Sequence, residues 1–198
     1  LKKTEIIRSC KSSIASSVNT LDNILRLAKN ESGITSIMSK DLQLQELIAL
    51  FRDQFENLDN SFPVLVYSTT CEDEVDNLVA SVDPNVLTWS VESLLLNARK
   101  YAFTSKGAVI AISTSNQQAS LEILVSDFGP GVDTKDRLKI FNRYSRGLNT
   151  KELPGTGIGL AVVSELLKMV NASISVIDSS TGVGACFQII VPEAMSQV

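Results

Sequence analysis

The sequence predicts an α+β fold, a two-layer α/β sandwich preceded by an N-terminal helix that packs on other helices. Apolar residues recur at helical spacing in four segments, whereas five shorter segments have the apolar, β-branched composition of strands. Helices mixed with strands in this way indicate a sheet covered by helices. The chain has 198 residues, of which 44% are hydrophobic, so it can build a sizeable core.

The first predicted helix covers residues 5–30, where apolar residues repeat at alternating steps of three and four. The positions of this seam are Ile7, Cys10, Ile14, Ser17, Leu21, Ile24 and Ala28. The helix is expected to end near Gly33, a typical C-terminal signal. A seam of this kind needs a partner, which is either its own domain or another helix.

The second predicted helix begins after a cap at Ser39 or Asp41 and carries apolar residues at helical spacing. These residues are Leu44, Leu47, Ile48, Phe51, Phe55 and Leu58. A strand over 63–69 and a polar loop over 71–76 are predicted to follow this helix.

A long helix is predicted over residues 85–103, with Asp83 as its cap and Pro84 in its first turn. The elements after it are strands over 108–114 and 120–126, which pair, a loop over 132–154, a helix over 158–170, and strands over 173–177 and 185–191. A loop as long as 132–154 is uncommon unless it is functional.

The composition excludes several classes of function. The net charge is −4, so no overall basic field attracts nucleic acid. No apolar run approaches the roughly 20 residues that cross a bilayer, and no leader opens the chain. We therefore expect a cytoplasmic domain that makes no membrane contact, although its parent can be tethered to the inner membrane by other segments. The three cysteines, Cys10, Cys71 and Cys186, lack CxxC spacing and are expected to be reduced, buried thiols.

One face of the helix over 85–103 carries polar groups. Ser93, Asn97, Lys100 and Tyr101 lie at i, i+4, i+7 and i+8, so they share that face. It is either an ordinary solvated surface or a chemically active stripe on a core helix.

A second candidate group follows the strand over 120–126. Asp127 is followed by Gly129 and Gly131. The carboxylate is either a turn former or an acceptor for the amino group of a base, which glycines allow to approach the backbone closely.

A third candidate group precedes the helix over 158–170. Gly155, Gly157 and Gly159 alternate there, at a spacing that is neither the dinucleotide fingerprint nor the Walker loop. Free N–H groups at the start of a helix bind phosphate oxygens, although a glycine hinge has the same pattern. The preceding loop is basic, as an electropositive lid over an anion would be, and it includes Arg143 and Arg146.

These groups fall within four short segments in a fixed order. The segments are LLLNARKY at 94–101, DFGPGV at 127–132, IFNRYSRG at 140–147 and GTGIGL at 155–160. Together they resemble the N box, first G box, F box and second G box of the ATP-binding domain of sensor histidine kinases. The wider superfamily includes gyrase, the large ATP-dependent heat-shock chaperone and MutL.

The resemblance covers roughly residues 60–192 and implies a Bergerat-type ATP-binding catalytic domain over 34–198. Residues 1–33 resemble the second helix of the dimerisation and histidine-phosphotransfer hairpin. The cofactors implied are ATP and Mg²⁺.

The resemblance also implies a role for each site residue. Asn97 coordinates Mg²⁺ and Lys100 reaches a phosphate, as the catalytic pair, while Asp127 recognises adenine. A lid arginine, Arg143 or Arg146, reaches the β- and γ-phosphates. The other implied nucleotide contacts are Tyr101, Gly129, Gly131, Gly155, Thr156, Gly157, Ile158, Gly159 and Leu160. We expect Asn97, Asp127 and Gly157 to share one pocket.

The reaction implied is transfer of the γ-phosphoryl group of ATP to a histidine. ATP hydrolases of the superfamily place a water-activating glutamate four residues before the metal-binding asparagine, where this chain has Ser93, a weak base. Glu92 lies about 100° further round the helix. Hydrolysis is thus disfavoured, although Ser93 also departs from the Asn or Glu that histidine kinases commonly have.

The chain contains no histidine, so the acceptor must lie elsewhere. We expect it on a preceding segment of the parent protein that was truncated away. The partners implied are the histidine-bearing helix of the parent, a second copy in a homodimer, and the receiver domain of a response regulator. The alternatives are a serine-directed kinase of the anti-sigma type and a degenerate nucleotide-binding and dimerisation module.

Overall fold

The computed structural model describes residues 38–56, 62–69, 79–101, 106–115, 120–145 and 156–192. The predicted helix over 5–30, the boundary at residue 33 and the loop over 71–76 lie outside these ranges. The described helices are α1 (Leu44–Phe55), α2 (Pro84–Tyr101) and α3 (Gly159–Met169), and a 3-10 turn covers Lys139–Phe141. The described strands are β1 (Lys40–Gln43), β2 (Val64–Ser68), β3 (Val79–Val82), β4 (Ala108–Ser115), β5 (Ser120–Asp127), β6 (Ser173–Ile177) and β7 (Cys186–Pro192).

Five of these strands form one sheet in the order β2-β4-β5-β7-β6. β2 runs parallel to β4, and the other neighbouring pairs are antiparallel, including the predicted pair of β4 and β5. Asp127, the last residue of β5, lies opposite Ala108 of β4. The adjacent residue Ser126 lies opposite Cys186 of β7. The C-terminal end of β5 is therefore flanked by a strand on each side.

Helices cover one face of this sheet. Along β5, Leu121, Ile123 and Val125 are buried and alternate with half-buried residues, as a strand with one face on the core requires. α1 packs against β2 and β4, whereas α2 packs against β5 and α3. The predicted two-layer α/β sandwich is confirmed. Among the described helices, none is both long enough and apolar enough to cross a membrane.

The start of α2 is as predicted. Asp83 Oδ1 accepts a hydrogen bond from the N–H of Asn85 at 2.9 Å, and Pro84 lies in the first turn. Oδ2 of the same carboxylate accepts the N–H of Met38 at 3.0 Å. The cap thus also fixes the segment that leads into β1.

Two short strands were not predicted. β1 and β3 pair antiparallel over four residues, from Lys40 opposite Val82 to Gln43 opposite Val79. Strands this short show no clear period, and β1 buries one side chain. Their pairing occupies the backbone at 40–43, so the predicted helix caps at Ser39 and Asp41 are wrong. The helix α1 follows Gln43, whose N–H donates to the side chain of Glu46 at 3.1 Å.

Candidate functional site

The end of β5 carries a buried carboxylate. Asp127 is 8% exposed, and its Oδ1 atom accepts hydrogen bonds from the N–H of Gly129 at 2.8 Å and of Ala185 at 3.0 Å. The N–H of Asp127 donates to the carbonyl of Ala185 at 2.9 Å. No donor to Oδ2 occurs among the residues that the structure describes. The carboxylate is therefore held at one oxygen and keeps the other as an acceptor.

Two glycines allow the segments around Asp127 to approach each other. A Cβ atom on Gly184, which has a φ of 84°, would lie 1.8 Å from the carbonyl oxygen of Asp127. A Cβ atom on Gly131, which has a φ of 75°, would lie 2.9 Å from the carbonyl oxygen of Gly184. Sequence reasoning selected Gly131 but missed Gly184 and Ala185. The signal for them was the TGVG turn at 181–184, because a glycine in a tight hairpin often marks a left-handed backbone.

The predicted polar face of α2 is half-buried at Asn97, Lys100 and Tyr101. Nζ of Lys100 donates to Oη of Tyr101 at 3.0 Å and lies 4.7 Å from the centroid of the same ring. Ser93 is half-buried as well, whereas Glu92 is exposed. Lys100 and Tyr101 are thus in contact, and Asn97 lies about one turn before them.

The elements that carry the predicted site residues are neighbours. α2 packs both against β5, which ends at Asp127, and against α3, which begins at Gly159. Nζ of Lys106, just before β4, lies 5.8 Å from the centroid of the Phe128 ring. The helix that bears the N box is therefore in contact with the strand that ends at Asp127 and with the helix that follows the second G box.

The second G box contacts the end of the F box. The N–H of Tyr144 donates to the carbonyl of Gly157 at 2.9 Å. A Cβ atom on Gly157, which has a φ of 70°, would lie 2.7 Å from the carbonyl oxygen of Ser145. These two segments are consequently packed backbone to backbone. Glycine is the residue that fits at position 157, because a Cβ atom there would collide with the backbone of Ser145.

The start of α3 has features that bind anions. Its N-cap residue, Ile158, is buried and has no polar side chain, so no side-chain cap occupies the first N–H groups of the helix. Thr156 is exposed, while Gly159 and Leu160 are half-buried in the first turn. Uncapped N–H groups and the positive end of the helix dipole attract negative charge. Gly155 and Arg146, which were also predicted to contact phosphate, lie outside the described residues.

Arg143 contacts a protein carboxylate. Its Nε and Nη2 atoms lie 3.1 and 3.2 Å from the two carboxylate oxygens of Glu165 on α3. Both side chains are partly exposed. The guanidinium group of Arg143 is therefore held against α3.

Two other cations of the predicted lid are also paired. Nζ of Lys135 lies 3.4 Å from Asp133, and the backbone N–H of Lys135 lowers the pKa of Asp133 below its ordinary value. Arg137 Nη2 lies 2.5 Å from Oδ1 of Asp178, which follows β6. The described part of the lid is therefore less electropositive than its sequence suggests.

A cavity of about 640 Å³ opens between the segment after β5 and the turn between β6 and β7. Its lining comprises residues 129–133, Arg137, residues 176–179 and residues 182–185. The lining includes Gly129 and Gly131 but not Asn97, Lys100 or Gly157. This cavity is therefore not the shared pocket predicted from the sequence, which stays a prediction.

Cys186 lies beside the contact between Ala185 and Asp127. It is buried and unpaired, and the hydroxyl of Ser126 donates to its sulfur at 3.2 Å. Burial raises the pKa of the Cys186 thiol above its ordinary value. The predicted reduced, buried thiol is confirmed at this position, whereas Cys10 and Cys71 lie outside the described residues.

Comparison with known proteins identifies one family and several relatives. The family model for "Histidine kinase-, DNA gyrase B-, and HSP90-like ATPase" matches residues 82–195. The sensor histidine kinase TmoS of Ectopseudomonas mendocina is 33% identical over an alignment of 196 residues, which covers 96% of this chain and 19% of TmoS. The chain thus spans about a fifth of the length of this relative.

Solved structures share the fold. Full-length ShkA in complex with AMPPNP matches all of this chain and 40% of its own, with a TM-score of 0.69 and 18% identity. The ATP binding domain of PrrB from Mycobacterium tuberculosis matches 79% of this chain and 98% of its own, with a TM-score of 0.59 and 21% identity. The architecture described above is that of the ATP-binding domains of histidine kinases.

Proposed function

Since the chain belongs to the family of histidine kinase-, DNA gyrase B- and HSP90-like ATPases, we propose that it is the ATP-binding catalytic domain of a two-component sensor histidine kinase. It binds ATP with Mg²⁺ and transfers the γ-phosphoryl group to a histidine outside this chain, which has no histidine of its own.

The observation that carries this proposal is the half-satisfied carboxylate of Asp127. Two backbone N–H groups hold Oδ1, so Oδ2 is the acceptor for a donor on the ligand. The exocyclic amino group of adenine is such a donor. Guanine has a carbonyl at the same place, which would face the carboxylate with a second acceptor. Asp127 therefore selects adenine over guanine.

The start of α3 receives the phosphates. Its first N–H groups lack a side-chain cap, and Gly159 in the first turn has no side chain that could cover them. Arg143 moves from Glu165 to the β- or γ-phosphate when the triphosphate binds, because a phosphate offers more negative charge than a partly exposed carboxylate. Arg146 and Thr156 are the further candidates for phosphate contacts.

The oxygen atoms that this chain offers fit a Mg²⁺ ion that is bound mainly through the phosphates of ATP. No group of three or more acidic, cysteine or histidine residues that could hold a metal occurs among the described residues. Mg²⁺ in nucleotide sites commonly has one or two protein oxygens and completes its shell with phosphates and water. Asn97 supplies one such amide oxygen from the half-buried face of α2. The ion, when bound, neutralises charge on the β- and γ-phosphates.

Phosphoryl transfer is favoured over hydrolysis by the residues near Asn97. Ser93 is too weak a base to activate water at neutral pH, and Glu92 is exposed on another side of α2. A histidine imidazole needs no such base, because its unprotonated nitrogen is already a nucleophile. The nitrogen forms a bond to the γ-phosphorus while the bond to the β,γ-bridging oxygen breaks, and ADP leaves. Lys100 and a lid arginine stabilise the charge on the transferring group.

The partners proposed are those that the resemblance to sensor histidine kinases implies. The histidine-bearing helix of the parent protein accepts the phosphoryl group, a second copy completes a homodimer, and a response-regulator receiver domain takes the phosphoryl group onward. All of these steps take place in the cytoplasm.

Titration calorimetry tests the nucleotide part of the proposal. The chain is titrated with ATP, ADP and GTP, each with and without Mg²⁺. We expect ATP and ADP to bind, GTP to bind at least about tenfold more weakly, and Mg²⁺ to tighten ATP binding. Absence of adenine-nucleotide binding would rule out both kinase functions and leave only a module that acts through dimerisation.

Incubation with a histidine-bearing hairpin tests the transfer. The hairpin of a related sensor kinase is added with labelled ATP, and a variant of the hairpin with the histidine replaced by glutamine is the control. Acid-labile phosphate on the first hairpin alone is the expected product. Nucleotide binding without transfer would indicate a pseudokinase, and acid-stable phosphate on serine would indicate the anti-sigma type.

A further inference from the structure

We infer that Arg137 is a positioning residue for Asp127. Its ion pair with Asp178 holds the turn between β6 and β7 against the segment after β5, and that turn supplies half of the hydrogen bonding to the Asp127 carboxylate. The turn is defined here as residues 178–185. The inference rests on the proposed contact of Asp127 with adenine.

The orientation of Asp127 depends on this turn. Oδ1 accepts one hydrogen bond from its own loop, through Gly129, and one from Ala185 at the end of the turn. The carbonyl oxygen of Asp127 lies so near Gly184 that a Cβ atom there would be 1.8 Å away. A shift of the turn by a few tenths of an ångström would therefore move a donor that fixes the carboxylate.

Ala185 exchanges two hydrogen bonds with Asp127, whereas the hydrogen bonds that residues 179–183 make among themselves are internal to the turn. Gly182 donates to the carbonyl of Ser179 at 2.9 Å, the hydroxyls of Ser179 and Thr181 are 2.9 Å apart, and Thr181 donates to the carbonyl of Val183 at 3.2 Å. These bonds fix the shape of the turn but do not attach it to the rest of the domain. A cavity of about 640 Å³ separates much of the turn from residues 129–133.

The Arg137–Asp178 ion pair spans this gap. The residues are 41 positions apart, and Nη2 of Arg137 lies 2.5 Å from Oδ1 of Asp178. The Arg137 side chain is 24% exposed, while Asp178 is 90% exposed. Nε of Arg137 is buried and has no hydrogen-bond partner among the described residues. The Nε atom of the guanidinium group is thus buried in the protein, while Nη2 reaches outward to hold the turn.

The backbone segment that carries Arg137 is held by its own hydrogen bonds. The N–H of Asp136 donates to the carbonyl of Asp133 at 2.8 Å, and the N–H of Ile140 donates to the carbonyl of Asp136 at 3.0 Å. Ile140 is buried in the core. Arg137 therefore lies between two anchored positions, so the ion pair restrains the turn rather than the segment that carries the arginine.

Loss of the ion pair should affect recognition of the base more than binding of the phosphates. The start of α3 and Asn97 are not part of this cavity. We expect Arg137→Gln to weaken ATP binding by about two- to fivefold, the effect of a partly exposed ion pair. Binding of inosine triphosphate, whose base has a carbonyl in place of the amino group, should change little. The preference for ATP over inosine triphosphate should fall accordingly.

The experiment measures the dissociation constants of both nucleotides for five variants. Arg137→Gln and Asp178→Asn remove the pair, Arg137→Lys keeps the charge, and the double variant Arg137→Gln/Asp178→Asn closes a mutant cycle. Arg52→Gln is the matched control, because Arg52 on α1 also pairs with a carboxylate, that of Glu56 just after this helix. We expect Arg137→Gln, Asp178→Asn and the double variant to lose the same amount of the preference for ATP over inosine triphosphate. Arg137→Lys should retain most of this preference and Arg52→Gln all of it.

Two results would overturn the inference. One is an unchanged preference for ATP over inosine triphosphate in Arg137→Gln. The other is an equal loss of affinity for both nucleotides, which a general structural role would produce. If Arg137→Gln does not fold, Asp178→Asn gives the same test from the exposed partner. Asp127→Asn separates this inference from the proposed function. If Asp127→Asn leaves the preference intact, the proposed adenine contact fails; if it removes the preference and Arg137→Gln does not, only the role of Arg137 fails.

Discussion

The two glycine-containing segments of the site are held in different ways. Around Asp127, Ala185 exchanges hydrogen bonds with the backbone N–H and the carboxylate of Asp127 at the end of β5, and Gly184 lies in near contact with the strand. Around Gly157, they are one backbone hydrogen bond to Tyr144 and, nearby, a partly exposed ion pair between Arg143 and Glu165. The end that is proposed to read the base is therefore built into the sheet. The end proposed to bind phosphates is held by groups that can exchange partners.

This difference suits the two tasks. Base selection depends on a fixed acceptor, because a carboxylate that can rotate accepts a donor from either base. Phosphoryl transfer requires groups that follow a changing charge, so contacts that rearrange at low cost are an advantage.

Gly184→Ala should have the largest effect. The new Cβ would lie 1.8 Å from a backbone oxygen, at a φ of 84° that alanine rarely adopts. We expect the free energy of unfolding, measured with urea, to fall by about 2 to 4 kcal/mol, and adenine preference to be lost. Gly182→Ala is the control, since Gly182 has a φ of 69° but no atom within 4 Å of the added Cβ. Equal costs at both positions would show that backbone strain alone matters.

Asp127→Asn should weaken ATP binding by about 1 to 3 kcal/mol, because a neutral amide replaces a charged acceptor in a buried site. Calorimetric titration gives the affinity, and thermal unfolding shows whether the variant is folded. A folded variant with wild-type affinity would remove Asp127 from base recognition.

Asn97→Ala should abolish the Mg²⁺-dependent part of ATP affinity, of the order of 1 kcal/mol, and leave binding in EDTA unchanged. The measurement is titration with ATP at several Mg²⁺ concentrations. An unaltered dependence on Mg²⁺ would mean that the ion is bound elsewhere.

Glu165→Gln should have the smallest effect, because both partners of its ion pair are partly exposed. With Arg143 released, ATP should bind about twofold more tightly, whereas ADP, which lacks the γ-phosphate, should bind with nearly unchanged affinity. Asp53→Asn, an exposed carboxylate on α1, is the control. Weaker ATP binding in Glu165→Gln would indicate that the pair supports the site instead of competing with the ligand.

Much of this architecture was predictable from the sequence. α2, α3 and the strands β4 to β7 were predicted within about three residues, because each has a clear apolar period and a turn or cap at its ends. The strands β1 and β3 were missed, since four residues give too short a pattern.

The candidate site was predictable in its residue types but not in its long-range contacts. The segment DFGPGV indicated a carboxylate at a strand end, and the structure has Asp127 there. Nothing in the local sequence indicated that Ala185 holds that carboxylate, or that Arg137 pairs with Asp178 and Arg143 with Glu165. Those contacts depend on strand register and on the packing of the lid, which spacing along the chain does not encode.

Amide hydrogen exchange with and without Mg·ATP tests the central claim most directly, because it reports on both ends of the site in one experiment. We predict strong ATP-dependent protection of the N–H groups at 157–160, which have no side-chain cap. Protection at Gly129 and Ala185, whose N–H groups already donate to Asp127 in the free protein, should change less. Saturating Mg·ATP without added protection at 157–160 would contradict the account.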